Sequence, residues 1–205
     1  MTTLIDVVVF DLGGVVCAYQ PDRRLRVLAD LASTTPSRVR ALLFDSGLEA
    51  RAERGELTPD DTYDAVVEAL GGNVKRDDVR RAWSRAFVPD GELLATVRRV
   101  RRPTALFTNN GPIIEDCLTH ELSAVTTAFD RLLVSWRLGS TKPDIEAFAK
   151  ASAALGAPAG SVLFVDDDID NVRAAARAGW ISHRYRGPAR LRDLFDAHDL
   201  LPRGG

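Results

Sequence analysis

The chain is poor in cysteine: Cys17 and Cys117 are the only two in 205 residues, and they lie far apart. That excludes a disulfide framework and a CxxC metal knuckle, and it suits a reduced, cytoplasmic setting. Long apolar runs are missing too. Nothing approaches the roughly 20 residues that a bilayer-spanning helix needs. The first apolar run has no basic segment ahead of it and is interrupted by Asp6, so it reads as a strand and not a signal peptide. An excess of either charge is also absent. The 27 Lys and Arg nearly balance 29 Asp and Glu, which argues against a nucleic-acid partner, since such binders usually show a basic stripe. The one basic cluster, "RRVRR" at Arg98 to Arg102, stands alone and reads as the solvated end of a helix. Histidine is scarce, and His120, His183 and His198 fall outside every motif described below.

What is present is enough apolar residue, 45%, to build one ordinary core or a core with a modest insertion. "LIDVVVF" (4–10) is short, β-branched and mostly apolar, the pattern of a strand buried on both faces. Similar runs recur at 104–107, 131–136, 161–165 and 181–185. Helical patterns lie between the later ones. In "KPDIEAFAKASAALG" the positions Ile145, Phe148, Ala149, Ser152 and Leu155 share a face, with Pro143 near the start and Gly156 past the end. "RGPARLRDLFDAHDL" reads as a last helix covering the sheet, and the closing "PRGG" as frayed. Strands alternating with helices predict an α/β fold, a Rossmann-like parallel sheet sandwiched by helices.

Residues 17–88 break that rhythm with helical signals and no convincing strand. Thr35 and Thr58 read as N-caps, with Asp61 as the capping-box partner of Thr58. The stripes Tyr63, Val66, Val67, Leu70 and Val79, Ala82, Trp83, Ala86 read as bundle packing. The expected organisation is therefore an α/β core domain of 1–16 and 90–205 with an all-helical cap over 17–89. "VPDG" (88–91) is the return hinge, with Asp90 capping the next helix.

In an open parallel sheet, ligands bind beyond the carboxyl ends of the strands. Four such ends carry chemistry. The first strand finishes on Asp11, with Gly13 and Gly14 behind it. The second ends in "FTNN", with Thr108 and Asn109. "GSTKP" places Lys142 before a long helix, and the last locus is "VDDDIDN", with Asp166, Asp167 and Asp168. Singly each is ordinary turn or cap chemistry. Together, a carboxylate cluster with one lysine suits a hard divalent cation such as Mg²⁺, which binds through a few carboxylates, water and phosphate oxygens. A carboxylate screened by the metal can attack phosphorus, and the lysine and threonine can hold the charge that develops. Asp168 and Asp170 read as helix-entry caps, and Cys17 as a small buried thiol.

The set "FDLGGVV", "FTNN", "STKP" and "FVDDDIDN", with a helical insert after the first motif, resembles the haloacid dehalogenase-like superfamily, from Val7 to about Gly179. It is most similar to the phosphatase branch whose first motif reads FDLG, which includes α-glucose-1-phosphate phosphatases. "ERGEL" (53–57) resembles that branch's cap. The resemblance implies an Mg²⁺-dependent phosphatase acting on small phosphorylated metabolites, sugar 1-phosphates among them, through an aspartyl-phosphate. It implies Asp11 as nucleophile and metal ligand, the Gly13 carbonyl as a ligand, Asp167 as the principal acidic ligand and Asp166 as a helper, directly or through water. Thr108 and Lys142 would hold the phosphoryl group, Lys142 would orient Asp11, and Asn109 would line the pocket.

One position departs from the superfamily pattern. Gly13 stands where many relatives carry a second aspartate that protonates the leaving group, help typically worth about 10²–10⁴ in rate. Tyr19, Asp22 or a cap residue could substitute, or the substrates could be esters with good leaving groups. The competing readings are a catalytically weak phosphate- or metal-binding regulatory protein on the same scaffold, and a 2-haloacid dehalogenase, against which the acidic cluster counts.

Overall fold

The computed structural model describes residues 4–202. In chain order, β1 (Val7–Phe10) leads into β2 (Cys17–Tyr19), α1 (Pro21–Leu31) and α2 (Pro36–Arg40), which continues as a π-helical turn over Ala41–Asp45. Then come α3 (Leu48–Glu53), α4 (Pro59–Ala69), α5 (Arg76–Ser84) and β3 (Phe87–Pro89). The rest is α6 (Gly91–Val97), β4 (Thr104–Thr108), α7 (Ile113–Thr119), α8 (Ser123–Thr126), β5 (Arg131–Val134) and α9 (Ser135–Leu138). It ends with α10 (Ile145–Leu155), β6 (Val162–Asp166), α11 (Ile169–Arg177), β7 (Ile181–Arg184) and α12 (Pro188–Ala197).

The five predicted strands form one parallel sheet in the order β5-β4-β1-β6-β7. Every residue of β1, β4 and β6 is buried, because helices cover both faces. Successive side chains of a strand point to opposite faces. Val7, Val9, Phe107 and Phe164 therefore pack with Phe148 and Trp180 on one side, and Val8, Phe10, Leu106 and Leu163 with Phe195 on the other. Between β1 and β4 the chain inserts the helical cap.

Local signals behaved as their chemistry requires. Thr35 Oγ1 accepts from Arg38 N, and Thr58 and Asp61 make a reciprocal capping box. Asp90 caps α6 by accepting from Leu93 N at 2.9 Å. Arg98, Arg99, Arg101 and Arg102 are solvent-exposed beyond that helix. The stripes of α4 and α5 are buried, with Val67 at the margin.

Three expectations need correction. Residues 17–88 do hold strand: β2 and β3 pair antiparallel, Cys17 opposite Pro89 and Tyr19 opposite Phe87. Each is three residues long, too short to show a period of two. The run 131–136 turns helical at Ser135. On α10 the buried face is Ala147, Phe148, Ala151 and Leu155, while Ile145 and Ala149 are exposed. Ile145 begins the helix, where the sheet no longer covers it. Apart from Pro202, the closing "PRGG" lies outside the described residues. Among the described residues, no helix is long and apolar enough to cross a membrane.

Phe164 is fully buried against Phe107, Phe148 and Trp180. Phe164→Ala is expected to cost about 3–5 kcal/mol in urea unfolding, and Ile145→Ala less than about 0.5 kcal/mol.

Candidate active site

Because β1, β4 and β6 run parallel, their carboxyl ends share one edge of the sheet. Asp11 leaves β1 there, its N–H donating to Val165 O at 2.9 Å. Lys142 reaches the same point from the loop before α10. Its Nζ donates to Asp11 Oδ1 at 2.7 Å, to Asp166 Oδ2 at 2.9 Å and to the Phe107 carbonyl at 2.9 Å. All three N–H donors of the ammonium are thus used. Burial alone would push this lysine down, but the two carboxylates outweigh it and hold the ammonium above its ordinary range. Burial raises the Asp11 carboxyl to about 6 against the pull of Lys142, with the Asp166 charge adding to the rise.

Asp166 is fully buried and hydrogen-bonded at both oxygens. Asp168 N donates to Oδ1 at 2.8 Å, and the Asn171 amide reaches both oxygens at 3.2 and 3.1 Å. Asp167 is exposed and lies against the loop after β1. A Cβ at Gly14 would sit 2.3 Å from Asp167 Oδ2, and Gly14 has φ +83°, so only glycine fits. One oxygen each of Asp11, Asp166 and Asp167 falls within 4.8 Å of the others. That all-oxygen set suits Mg²⁺.

Thr108 is buried at the tip of β4. Its Oγ1 accepts from Asn110 Nδ2 at 2.7 Å, which leaves its proton free to donate. Asn109 clamps the Lys142 backbone, donating Nδ2 to the carbonyl at 2.7 Å and accepting from the N–H at 2.9 Å. Asp11, Gly13, Thr108, Asn109 and Lys142 line one cavity of about 190 Å³. The sequence-predicted groups therefore converge. Asp168 caps α11, accepting from Asp170 N at 2.8 Å. Asp22 pairs with Arg40 at 3.5 Å in solvent and is not among the residues lining the cavity. Cys17 is buried, and burial pushes its thiol up to about 12, which makes it inert.

The cap closes the cavity with Tyr19, Glu49, Glu53 and Phe87. Of these, sequence reasoning named Tyr19 as a possible substitute for the missing acid and quoted Glu53 only as the first residue of the cap-like "ERGEL". Glu49 and Glu53 lie one helical turn apart on α3, a spacing that puts both on one face. Nothing in that spacing says which way the face points. Glu49 pairs at 3.1 Å with Arg24, a buried guanidinium lying against the rings of both Phe44 and Trp83. Burial, with the Glu49 charge beside it, raises the Glu53 carboxyl to about 8.

A carboxyl raised from 4.5 to about 8 holds a proton in the folded chain that the unfolded chain releases. Stability therefore falls as pH rises between those values and is level above them. Glu53→Gln has no such proton. Its melting temperature is expected to decline less than that of the parent between about pH 5 and pH 9, as thermal denaturation at matched ionic strength will show.

The chain is similar to two curated proteins along most of its length. It is 26% identical over 186 residues to a sesquiterpene phosphatase of Aspergillus oryzae, covering 88% of this chain and 90% of the relative. It is 23% identical over 181 residues to a D-ribitol-5-phosphate phosphatase of Bacteroides thetaiotaomicron, covering 84% and 88%. Its fold matches the crystal structure of a HAD family enzyme from Bacteroides thetaiotaomicron in complex with magnesium and inorganic phosphate. The TM-score is 0.76 at 19% identity, over 89% of this chain and 94% of that one. Residues 5–179 match the haloacid dehalogenase-like hydrolase family, and with that match over most of its length the chain belongs to this family of hydrolases.

Proposed function

We propose that the chain is an Mg²⁺-dependent phosphatase of small, hydroxylated phosphate monoesters, sugar 1-phosphates among them, working through an aspartyl-phosphate on Asp11. The observation that carries this reading is the buried Lys142 ammonium bridging Asp11 and Asp166, with Asp167 beside them. Asp11, Asp167 and the Gly13 carbonyl would hold the cation, with Asp166 contributing directly or through water. The bound metal supplies positive charge that lets an anionic oxygen approach an anionic phosphoryl group.

The chain's own residues do the rest. Lys142 fixes one Asp11 oxygen at 2.7 Å and leaves the other to attack phosphorus. Thr108 donates its free proton to an equatorial phosphoryl oxygen, where charge develops. Asn109 positions Lys142 through one amide N–H and its carbonyl oxygen, and its second N–H stays available to the cavity it lines. Water then opens the aspartyl-phosphate and restores the Asp11 carboxylate. The acidic cluster is superfluous to a dehalogenase and supports phosphoryl chemistry instead. Two free, buried thiols support a reducing, cytoplasmic setting.

The substrate class rests on the polarity of the cavity. Glu49 and Glu53 from the cap and Asn110 and Asn171 from the core line it along with Tyr19 and Phe87. Such a lining offers polar partners to hydroxyl groups and little continuous apolar surface to a terpenyl chain. The relative that acts on ribitol 5-phosphate supports a polyol or sugar ester more than the sesquiterpene phosphatase does.

Asp11→Asn and EDTA treatment are each expected to reduce phosphate release to background, with the fold retained by circular dichroism. On a panel of esters, kcat/KM for sugar and polyol phosphates should exceed that for farnesyl phosphate by at least about tenfold. A preference for the terpenyl ester would overturn the substrate class and leave the chemistry standing.

A further inference from the structure

An in-line displacement sends the leaving group away from the attacking oxygen. Asp11 attacks from the sheet, so the leaving oxygen faces the cap, whose wall is Tyr19, Glu49, Glu53 and Phe87. Gly13 offers no proton donor. A Cβ there would rest in ordinary contact with the Tyr19 side chain at 3.4 Å, so Tyr19 borders the space that a second aspartate occupies in relatives. Phe87 has no proton to give. Glu49 is committed to Arg24. The Tyr19 hydroxyl accepts from Arg24 Nη2 at 3.4 Å, and burial holds its phenol above its ordinary range, which makes it a far weaker acid than a carboxyl. One group is left.

We propose that Glu53, carried in by the cap, is the general acid and base of the reaction in place of the aspartate missing at position 13. In the first half, Asp11 forms its bond to phosphorus and the P–O bond to the leaving group breaks. Glu53 gives its proton to that oxygen and becomes a carboxylate. In the second half, water attacks the aspartyl-phosphate, Glu53 takes a proton from it, and the P–O bond to Asp11 breaks. Phosphate leaves with Asp11 and Glu53 in their starting forms.

Three contacts tie the end of α3 to the core and hold Glu53 over the site. Ser135 Oγ donates to the Glu53 carbonyl at 2.8 Å and accepts from Asn110 N at 3.1 Å. Gly111 packs on Ala52, where a Cβ would sit only 2.9 Å away. Gly55, at φ +71°, lies so close to the Trp136 carbonyl that a Cβ would come within 2.2 Å of it. The chain from Thr108 through Asn110 and Ser135 thus links the phosphoryl-holding strand end to the residue above it. The charged groups facing Glu53 are Glu49 on its own helix, Arg24 from α1 and Arg54 next in the chain, and the Tyr19 phenol lies near it from β2. Ser135 and Gly111, packed on it from the core, carry no charge. Glu53 is half-buried in the cavity wall, and desolvation there with the Glu49 charge beside it pushes the carboxyl up to about 8, which favours the protonated form an acid must have at the start of the cycle.

This inference rests on the phosphatase reading above, and its test separates the two. The Mg²⁺-loaded protein is assayed on a primary alkyl phosphate and on p-nitrophenyl phosphate, whose leaving group needs little proton help. Because kcat/KM reads only through the first irreversible step, Glu53→Gln should lower it about 10²–10³-fold on the alkyl ester and less than about fivefold on the aryl ester. The same variant should release nitrophenol in a pre-steady-state burst approaching one per active site, since its aspartyl-phosphate lacks a base for breakdown. Equal losses on both esters, or no loss on either, overturn the role of Glu53. Activity surviving in Asp11→Asn overturns the aspartyl-phosphate instead, and a parent protein inactive on both esters with Mg²⁺ overturns the phosphatase reading. Should the variant fold poorly, the parent protein decides. Its alkyl-to-aryl ratio of kcat/KM should fall as pH rises through about 8, and a ratio flat in pH overturns the proposal.

Discussion

A buried ammonium between two carboxylates is the constraint on which the site depends. Lys142, Asp11 and Asp166 are all withdrawn from water, and the ammonium is the one cation between the two carboxylates. Removing the lysine from such a set leaves uncompensated buried charge, typically costing about 3–5 kcal/mol. The rest of the architecture supplies their remaining partners. The Phe107 carbonyl at the end of β4 takes the third lysine proton, and the start of α11 gives Asp166 a backbone N–H and the Asn171 amide. Asn109 pins the lysine's own backbone. Three strand ends and one loop are thereby locked to a common point.

The leftover negative charge matters as much as the pairing. One cation faces Asp11, Asp166 and the nearby Asp167, and burial with mutual repulsion raises both Asp11 and Asp167. Such an edge is short of positive charge by design of its residues. A divalent cation corrects that deficit, and an anionic ester then meets a site it can enter. The two glycines after Asp11 divide the space around it. Gly14 yields to Asp167, and Gly13 borders Tyr19.

The cap is not a passive cover. Tyr63 Oη donates to Asp116 at 2.8 Å and Arg80 pairs with Glu121 at 2.6 Å, so α4 and α5 are anchored on the core. Arg24 buries its charge against two aromatic rings and holds Glu49 and the Tyr19 hydroxyl. This arrangement orders the cavity wall from the cap side, just as Lys142 orders it from the sheet side.

Much of this was legible in the chain itself. Short apolar runs ending in Asp11, Thr108 and Asp166 imply a parallel sheet with chemistry at one edge, since strand period and burial are local properties of side chains. The capping box at Thr58 and the cap at Asp90 are equally local. The short pair β2–β3 was not legible, because three residues carry no period. Nor was the facing of α10, where Ile145 precedes the covered turn. Only the tertiary structure decided what lies opposite Asp11. A glutamate on an amphipathic helix looks like any solvated charge until packing turns it inward. The contacts that turn Glu53 come from Gly111, Ser135 and Trp136, more than fifty residues further along the sequence.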